Sequence, residues 1–241
     1  SGYSWESKGL RETLISLPGL TLFDDGDVAT FDKILKTAVK IYANQLYNGS
    51  RQVEAALWMF WVAQQYAAFT GDAQGAWDKF KAILKKIADS FIEGGRMGVS
   101  LNKDNGMLWT KMNGVALSWM NAYGSNSLPI AERGGYQVET NALWYNALCY
   151  LVENETKYGK GGKAVYAWMD VKEKIERNFY NMFWVEERAH LADYVDEMGQ
   201  NKFTRPNQLF ACALEYSPIN DEVKANILRS IQRELLTSRG L

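Results

Sequence analysis

The sequence predicts an all-α protein built as an α/α toroid, with inner and outer layers of helices. Only four of the 241 residues are proline, and apolar residues recur at helical spacing through most of the chain, which favours helices over strands. Two kinds of predicted helix alternate: one is amphipathic with a charged face, and the other is apolar on every side and must be enclosed. This alternation is typical of two concentric layers, in which each helical hairpin contributes one inner and one outer helix.

The predicted helices form four inner and outer pairs. The inner helices share an apolar surface on every side, and they are predicted at 9–17, 51–69, 137–155 and 206–215. The outer helices share an apolar stripe opposite a charged face, and they are predicted at 28–47, 73–93, 163–183 and 221–236. A closed (α/α)6 ring holds six such pairs. Four pairs therefore predict an incomplete toroid.

A long insertion, 94–136, separates the second outer helix from the third inner helix. Within it the alternating stretch GVSLNKDNGMLWT, 98–110, contains the turn residues Asp104, Asn105 and Gly106 and predicts a small β-hairpin. A connection of this length inside a compact domain is usually functional.

The balance of charge and hydropathy argues against nucleic acid and membranes as partners. The 27 basic and 28 acidic residues leave no positive field that would attract nucleic acid or anionic lipid. The longest apolar run, 55–63, is too short to cross a bilayer. Cys149 and Cys212 lie in apolar helical runs and are expected to be buried thiols, which indicates a reducing compartment such as the cytoplasm. A neutral partner fits this chain best.

The sequence contains a single histidine, His190. One imidazole excludes a site of clustered histidine ligands, and any Ser-His or Cys-His mechanism would have to use this one ring. We expect His190 to be a partly exposed structural residue. No metal or cofactor is predicted, and catalysis would need carboxylates as its acid and base.

Polar side chains collect at the beginnings of the inner helices. Because all inner helices of a toroid run in the same direction, these beginnings are expected to meet and line a shared funnel, close to the insertion. The alternative is that the acids only complement the helix dipoles, as acids in a first turn often do. The polar residues are Arg11 and Glu12; Arg51, Gln52 and Glu54; Gln137, Glu139 and Asn141; and Arg205, Asn207 and Gln208.

Aromatic residues flank several of these polar beginnings. Flat apolar faces beside hydrogen-bonding groups suit sugar rings, whose C–H faces stack while their hydroxyls form hydrogen bonds. Trp58 and Trp61 are predicted to fill the core, since they lie inside LWMFWVA, whereas Trp5, Trp119 and Trp144 are predicted to contact a ligand. The flanking aromatics are Tyr3, Trp5, Trp58, Trp109, Trp119, Tyr136, Trp144 and Tyr145.

Six stretches follow one another along nearly the whole chain: YSWESKGLRETLISLPGL at 3–20, VEAALWMFW at 53–61, LSWMNA at 117–122, VETNALWYNAL at 138–148, FTRPNQLFA at 203–211 and RELLTSRGL at 233–241. With these stretches the chain resembles the C-terminal glucosidase domain of glycogen debranching enzymes, the amylo-α-1,6-glucosidase type of (α/α)6 barrel. The resemblance implies that 1–241 is part of such a domain, with flanking domains of the same protein missing.

The resemblance also implies the activity. Members hydrolyse α-1,6-linked glucose of glycogen or related α-glucans, with an inverting pair of carboxylates around an oxocarbenium-like transition state. The implied partner is an α-glucan or oligosaccharide, without cofactor or metal. The residues implied to hold the glucose are Trp5, Arg11, Glu12, Glu54, Trp119, Asn141, Trp144, Tyr145, Arg205, Asn207 and Gln208.

Three departures from the family pattern bear on activity. The family's RDT is Arg11-Glu12-Thr13 here, its VDAS has Glu54 in place of Asp, and its TWMDA, with the general acid as Asp, has Asn121. An asparagine cannot donate a proton as a carboxylic acid does, and loss of a proton donor removes about 10²- to 10⁴-fold of rate. The second catalytic carboxylate of the family is expected beyond Leu241. The chain as given is therefore predicted to be inactive.

Three functions remain open from the sequence. The first is part of a debranching glycosidase in which Glu139 or Glu132 replaces the missing acid. The second is a degenerate toroid that binds glycan without cleaving it, which the Asp-to-Asn change and the two Asp-to-Glu changes favour because a longer side chain displaces the carboxylate. The third is a toroid α-glucosidase of another specificity.

Overall fold

A computed structural model describes residues 9–240 of the chain. Within that range the protein is mostly helical, with small antiparallel sheets, which confirms the predicted helical class. Tyr3 and Trp5 lie outside the described residues. The α-helices are α1 (Leu10–Pro18), α2 (Val28–Ile41), α3 (Ala43–Asn48), α4 (Trp58–Thr70), α5 (Ala73–Glu93), α6 (Val138–Tyr158), α7 (Lys163–Phe183), α8 (Leu209–Ala213) and α9 (Asp221–Glu234).

The strands are short and pair antiparallel. β1 pairs with β2, β6 lies between β3 and β7, and β4 pairs with β5. The strands are β1 (Val99–Leu101), β2 (Leu108–Thr110), β3 (Tyr136–Gln137), β4 (Trp184–Val185), β5 (His190–Leu191), β6 (Tyr194–Asp196) and β7 (Gly199–Asn201).

All eight predicted helices are present, and they differ from the prediction mainly at their ends. The predicted outer helix 28–47 is broken at Tyr42, which divides it into α2 and α3. The predicted inner helices at 51–69 and 206–215 each begin with a 3-10 turn, Ala55–Leu57 and Pro206–Gln208. Side-chain caps stabilise the amino ends of α2, α5 and α9, since Asp27, Asp72 and Asn220 each accept a backbone N–H of the first turn.

The predicted inner helices pack against one another in chain order. α1 contacts α4, α4 contacts α6, and α6 contacts α8. The predicted outer helices pack on them: α2 on α1, α5 on both α4 and α6, α7 on α6, and α9 on α8. In α6 every residue from Val138 to Leu151 is buried, as expected of a helix that is apolar on all sides. Within the described residues no helix is both long and apolar enough to span a membrane.

The predicted hairpin in the insertion is confirmed as β1 and β2, with Leu101 opposite Leu108. Its turn contains Gly106, whose φ of 76° suits glycine and whose position leaves no room for a side chain, because an added Cβ would lie 2.5 Å from the carbonyl oxygen of Val171. The hairpin is fastened to α6. Leu108 donates its N–H to Asn141 Oδ1 at 2.7 Å and accepts from Asn141 Nδ2 at 3.1 Å.

The sheet of β3, β6 and β7 was not predicted, and it positions the segment after α7 against the beginning of α6. Gly135, with a φ of 108°, lies so close to β6 that an added Cβ would be 2.2 Å from the carbonyl oxygen of Val195. The N–H of Val138 donates to the carbonyl oxygen of Asp193 at 3.2 Å. Asp193 is thereby held beside the first turn of α6.

The predicted partial exposure of His190 is wrong. β5 packs against α9, and His190 is fully buried there. Its Nδ1 lies 2.9 Å from the carbonyl oxygen of Leu191, and its Nε2 lies 3.3 Å from Thr204 Oγ1. Both ring nitrogens therefore have a structural partner.

Candidate functional site

One cavity lies where the beginnings of the predicted inner helices meet. Its volume is about 340 Å³, near the lower end of the range typical of small-molecule sites. Its lining includes charged, amide and aromatic side chains. A larger groove of about 610 Å³ between α1 and α2 is lined by aliphatic, hydroxyl and Lys33 side chains and has no carboxylate. The residues that line the smaller cavity are Arg11, Ile15, Glu54, Trp58, Trp119, Glu139, Leu143, Pro206, Asn207 and Phe210.

On one side of the cavity, Arg11 of α1 holds Glu54, which precedes α4. Arg11 Nη1 donates to Glu54 Oε1 at 3.0 Å, while its Nε donates to Glu12 Oε1 at 2.9 Å. Glu54 is only 2 % exposed, and its other oxygen, Oε2, is buried without a hydrogen-bond partner. Burial raises the pKa of Glu54, although Arg11 acts in the opposite direction. Glu12 lies outside the lining residues and supports Arg11.

The raised pKa of Glu54 predicts a pH dependence of stability. The folded protein retains the proton on Glu54 to higher pH than the unfolded chain, so this contribution is complete below the ordinary pKa of 4.5 and is lost as the pH rises through the raised pKa. The variant Glu54→Gln cannot ionise and should lack this loss. Urea unfolding of both proteins at several pH values above 4.5 measures the difference. The prediction would be contradicted if the free energy of unfolding changed with pH by the same amount in the wild type and in Glu54→Gln.

On the opposite side, Arg133 joins Glu139 of α6 to Asp193. Arg133 donates to both oxygens of Glu139, with Nη2 to Oε2 at 2.8 Å, and its Nε donates to Asp193 Oδ2 at 2.8 Å. All three residues are at least 96 % buried, with exposures of 4 %, 1 % and 2 %. Burial alone would lower the pKa of Arg133, but the two carboxylates raise it above its ordinary value. Glu139 therefore faces the cavity as a fixed side chain with both oxygens engaged.

Asn207 connects this network to the rim of the cavity. Its Nδ2 donates to Asp193 Oδ1 at 2.7 Å, and its Oδ1 accepts from Trp119 Nε1 at 3.0 Å. Trp119 belongs to the insertion and is 42 % exposed, so part of its ring is open to solvent beside the cavity. Arg205 does not line the cavity, and its Nε lies 3.1 Å from Asp193 Oδ2.

Four predicted contact residues have structural partners and lie outside the lining. Asn141 fastens the hairpin, as described above. Trp144 is fully buried, packs on Phe91 and donates to the carbonyl oxygen of Gly106. Tyr145 donates to Glu176 Oε1 at 2.6 Å on the side of α7, and Gln208 accepts the N–H of Leu191 at 3.0 Å. In each case another segment of the chain contacts the side chain: the β1–β2 hairpin covers Asn141 and Trp144, α7 covers Tyr145, and β5 contacts Gln208.

Asn121 is exposed on the loop that follows Trp119, and it is not among the residues that line the cavity. Of the two predicted replacement acids, Glu139 lines the cavity and Glu132 is exposed and does not. Trp5 lies outside the described residues. Among residues 9–240 no group of three or more His, Cys, Asp or Glu side chains could hold a metal ion.

Sequence reasoning missed two charged residues beside the cavity, Arg133 and Asp193, and five of the residues that line it: Ile15, Trp58, Leu143, Pro206 and Phe210. Arg133 and Asp193 are 60 positions apart, and no local pattern pairs them. Trp58 was assigned to the core because its neighbours are apolar, and it is buried in the core as predicted, but it also lines the cavity. The available signal was its position, one helical turn after Glu54.

The arrangement suits a small neutral ligand rich in hydroxyl groups. Its acids are balanced by Arg11 and Arg133, which leaves no net attraction for a strongly charged molecule, and its walls combine apolar faces with carboxylate and indole groups. Comparison with known protein families agrees with this chemistry, because the model described as amylo-alpha-1,6-glucosidase matches residues 1–241, the whole chain. None of the curated proteins searched matches the chain.

Proposed function

The chain belongs to the amylo-alpha-1,6-glucosidase family, a family of glycogen debranching-type glycoside hydrolase domains, and we propose that its cavity binds a terminal glucose unit of an α-glucan. The observation that carries this proposal is the free oxygen of Glu54. A buried acceptor without a partner is costly, and a ligand hydroxyl at this place would satisfy it. Trp119 at the rim offers the apolar ring face that a sugar requires.

The reaction of the full protein is hydrolysis of α-1,6-linked glucose in glycogen or a related α-glucan. Inversion requires one carboxylic acid to protonate the leaving oxygen and a second carboxylate to activate water. Asn121 does not supply the acid. Glu139 gives both oxygens to Arg133, so neither is free to carry a proton to the substrate. We therefore propose that this chain holds the sugar and is itself inactive.

A second candidate function is glycan binding without cleavage in the full protein as well. The engagement of Glu139 by Arg133 and the identity of Asn121 favour it, because the cavity then contains binding groups without a proton donor. A toroid α-glucosidase with another linkage preference is the third candidate.

The proposed architecture is part of an (α/α)6 toroid. The order of packing among α1, α4, α6 and α8, with the amphipathic helices outside them, supports this arrangement, and the insertion 94–136 belongs to the same domain. We place the protein in the cytoplasm, with flanking domains in the full-length protein. Cys149 is buried as predicted, whereas Cys212 is only half-buried. Burial raises the pKa of both thiols to about 11, which suits unreactive free cysteines.

The decisive experiment measures both binding and turnover. Calorimetry with this chain should show binding of a branched limit dextrin and of short α-glucan oligosaccharides, and no glucose should be released. The full-length protein, which is expected to supply the second carboxylate, should bind the same ligands and release glucose from the limit dextrin at a rate lowered by the missing acid. Absence of binding would overturn the proposal, whereas binding without release by the full-length protein would select the second candidate. Rates of glucose release from a panel of α-linked disaccharides test the third candidate, an α-glucosidase with another linkage preference.

A further inference from the structure

Trp58 is held rigidly at the wall of the cavity. It begins α4 and is 8 % exposed, and its ring makes edge-to-face contacts with Trp61 at 5.7 Å and Phe210 at 5.6 Å between centroids. Phe210 lines the same cavity. The orientation of the Trp58 indole is therefore fixed by two neighbours before any ligand binds.

The indole N–H of Trp58 is buried without a hydrogen-bond partner. Other tryptophans of the described residues have partners: Trp144 donates to the carbonyl oxygen of Gly106, and Trp168 donates to Asp89 Oδ1 at 3.0 Å. The indole N–H of Trp77 also has no hydrogen-bond partner, but Trp77 is fully buried and does not line the cavity. Since buried indole N–H groups usually find an acceptor, the Trp58 N–H indicates a partner that binds in the cavity.

Glu54, which lies one helical turn before Trp58 and lines the same cavity, also has an unpaired atom, because its Oε2 is buried without a hydrogen-bond partner. Arg11 occupies Oε1, so Glu54 presents one free acceptor and Trp58 presents one free donor. A hydroxyl group both donates and accepts, and two hydroxyls on one ring satisfy such a pair together.

We propose that Trp58 is a specificity-determining residue that donates its Nε1–H to one sugar hydroxyl while Glu54 Oε2 accepts from another. This proposal rests on the proposed function, because it assumes that the ligand is a glucose unit. A site built around hydrogen bonds to hydroxyls rejects an analogue that lacks one of them, since the buried group is then left unpaired. Trp58 thus discriminates between sugar ligands through its N–H donor as well as through its ring face.

The test combines the variant Trp58→Phe with changes in the ligand. The probes are methyl α-glucoside and its four monodeoxy analogues, with affinities from calorimetry or ligand-detected magnetic resonance. The wild-type protein should bind the analogue that lacks the hydroxyl bonded by Trp58 about 10- to 100-fold more weakly than the parent, because the indole N–H is then left unpaired. Trp58→Phe should bind the parent more weakly by a similar factor and should no longer distinguish that analogue from the parent. Trp77→Phe is the matched control and should keep wild-type affinities.

Each outcome separates this inference from the proposed function. If Trp58→Phe retains the affinities and the discrimination of the wild type, the assignment of Trp58 is overturned and glucose binding in the cavity stands. If the wild type binds none of the glucosides, both are overturned. A measurement on the wild type does not depend on the variant folding: the indole N–H signal of Trp58 should shift when methyl α-glucoside binds and that of Trp77 should not. An unshifted Trp58 signal in the bound state overturns the assignment.

Discussion

Replacement of Arg133 by methionine is expected to lower the free energy of unfolding by about 3–5 kcal/mol, because two buried carboxylates lose their shared counter-ion. Glu139 and Asp193 are 1 % and 2 % exposed, so water cannot take the place of the guanidinium without local opening. For a chain of this length the loss corresponds to a fall in Tm of about 6–20 °C. Thermal and urea unfolding of the wild type and the variant measure both quantities.

The matched control lies in the same insertion. Lys111 forms an ion pair with Glu197 at 2.6 Å, but both side chains are well exposed, and Lys111→Met should leave stability close to that of the wild type. In the Arg133→Met protein Asp193 keeps its ion pair with Arg205, whereas Glu139 has lost its counter-ion. Adding Glu139→Gln removes that unpaired charge and should recover part of the lost stability. Equal stability of the Arg133→Met and Lys111→Met proteins would show that Arg133, Glu139 and Asp193 do not form a stabilising buried ionic cluster.

The ionic cluster of Arg133, Glu139 and Asp193 could not be predicted from the sequence, whereas most of the helices could. Helices such as α5 and α7 were predicted at 73–93 and 163–183, and the structure has them at Ala73–Glu93 and Lys163–Phe183, because amphipathic periodicity is a local property. The pairing of Arg133 with Asp193 is not local. It depends on β6 pairing with β3, and these strands are too short to give a periodic signal.

The first turns of α6 give a second example of contacts that the sequence could not predict. Glu139, Asn141 and Trp144 were all predicted to face the ligand, since each lies near the beginning of an inner helix. Only Glu139 lines the cavity. The β1–β2 hairpin covers the face that bears Asn141 and Trp144, and both side chains hydrogen-bond to its backbone. The sequence predicted the hairpin but contains no pattern that says which face of α6 it covers.

Restoring a carboxylic acid at residue 121 is expected to have the largest effect on activity. Asn121→Asp in the full-length protein should raise the rate of glucose release from a branched limit dextrin by about 10²- to 10⁴-fold, because general acid catalysis contributes a factor of this size. Asn121 is exposed and outside the lining, but it lies two residues after Trp119, whose Nε1–H donates to Asn207 Oδ1 at 3.0 Å and holds this loop beside the cavity. Initial rates of glucose release, measured against pH, test the expectation.

The control is Asn126→Asp, which makes the same chemical change on the same loop. The side chain of Asn126 accepts the N–H of Leu128 at 3.1 Å, and an aspartate can accept it equally well, so the loop should keep its conformation without gaining activity. A rise for Asn121→Asp alone would identify the loop after Trp119 as the place from which the acid acts. If both variants bind the dextrin and neither releases glucose faster than the wild type, the absence of an acid is not what limits the reaction. If the wild type also releases no glucose, the cavity is a site that holds glucose without cleaving its linkage, because restoring one carboxylic acid has no effect where the second carboxylate is missing.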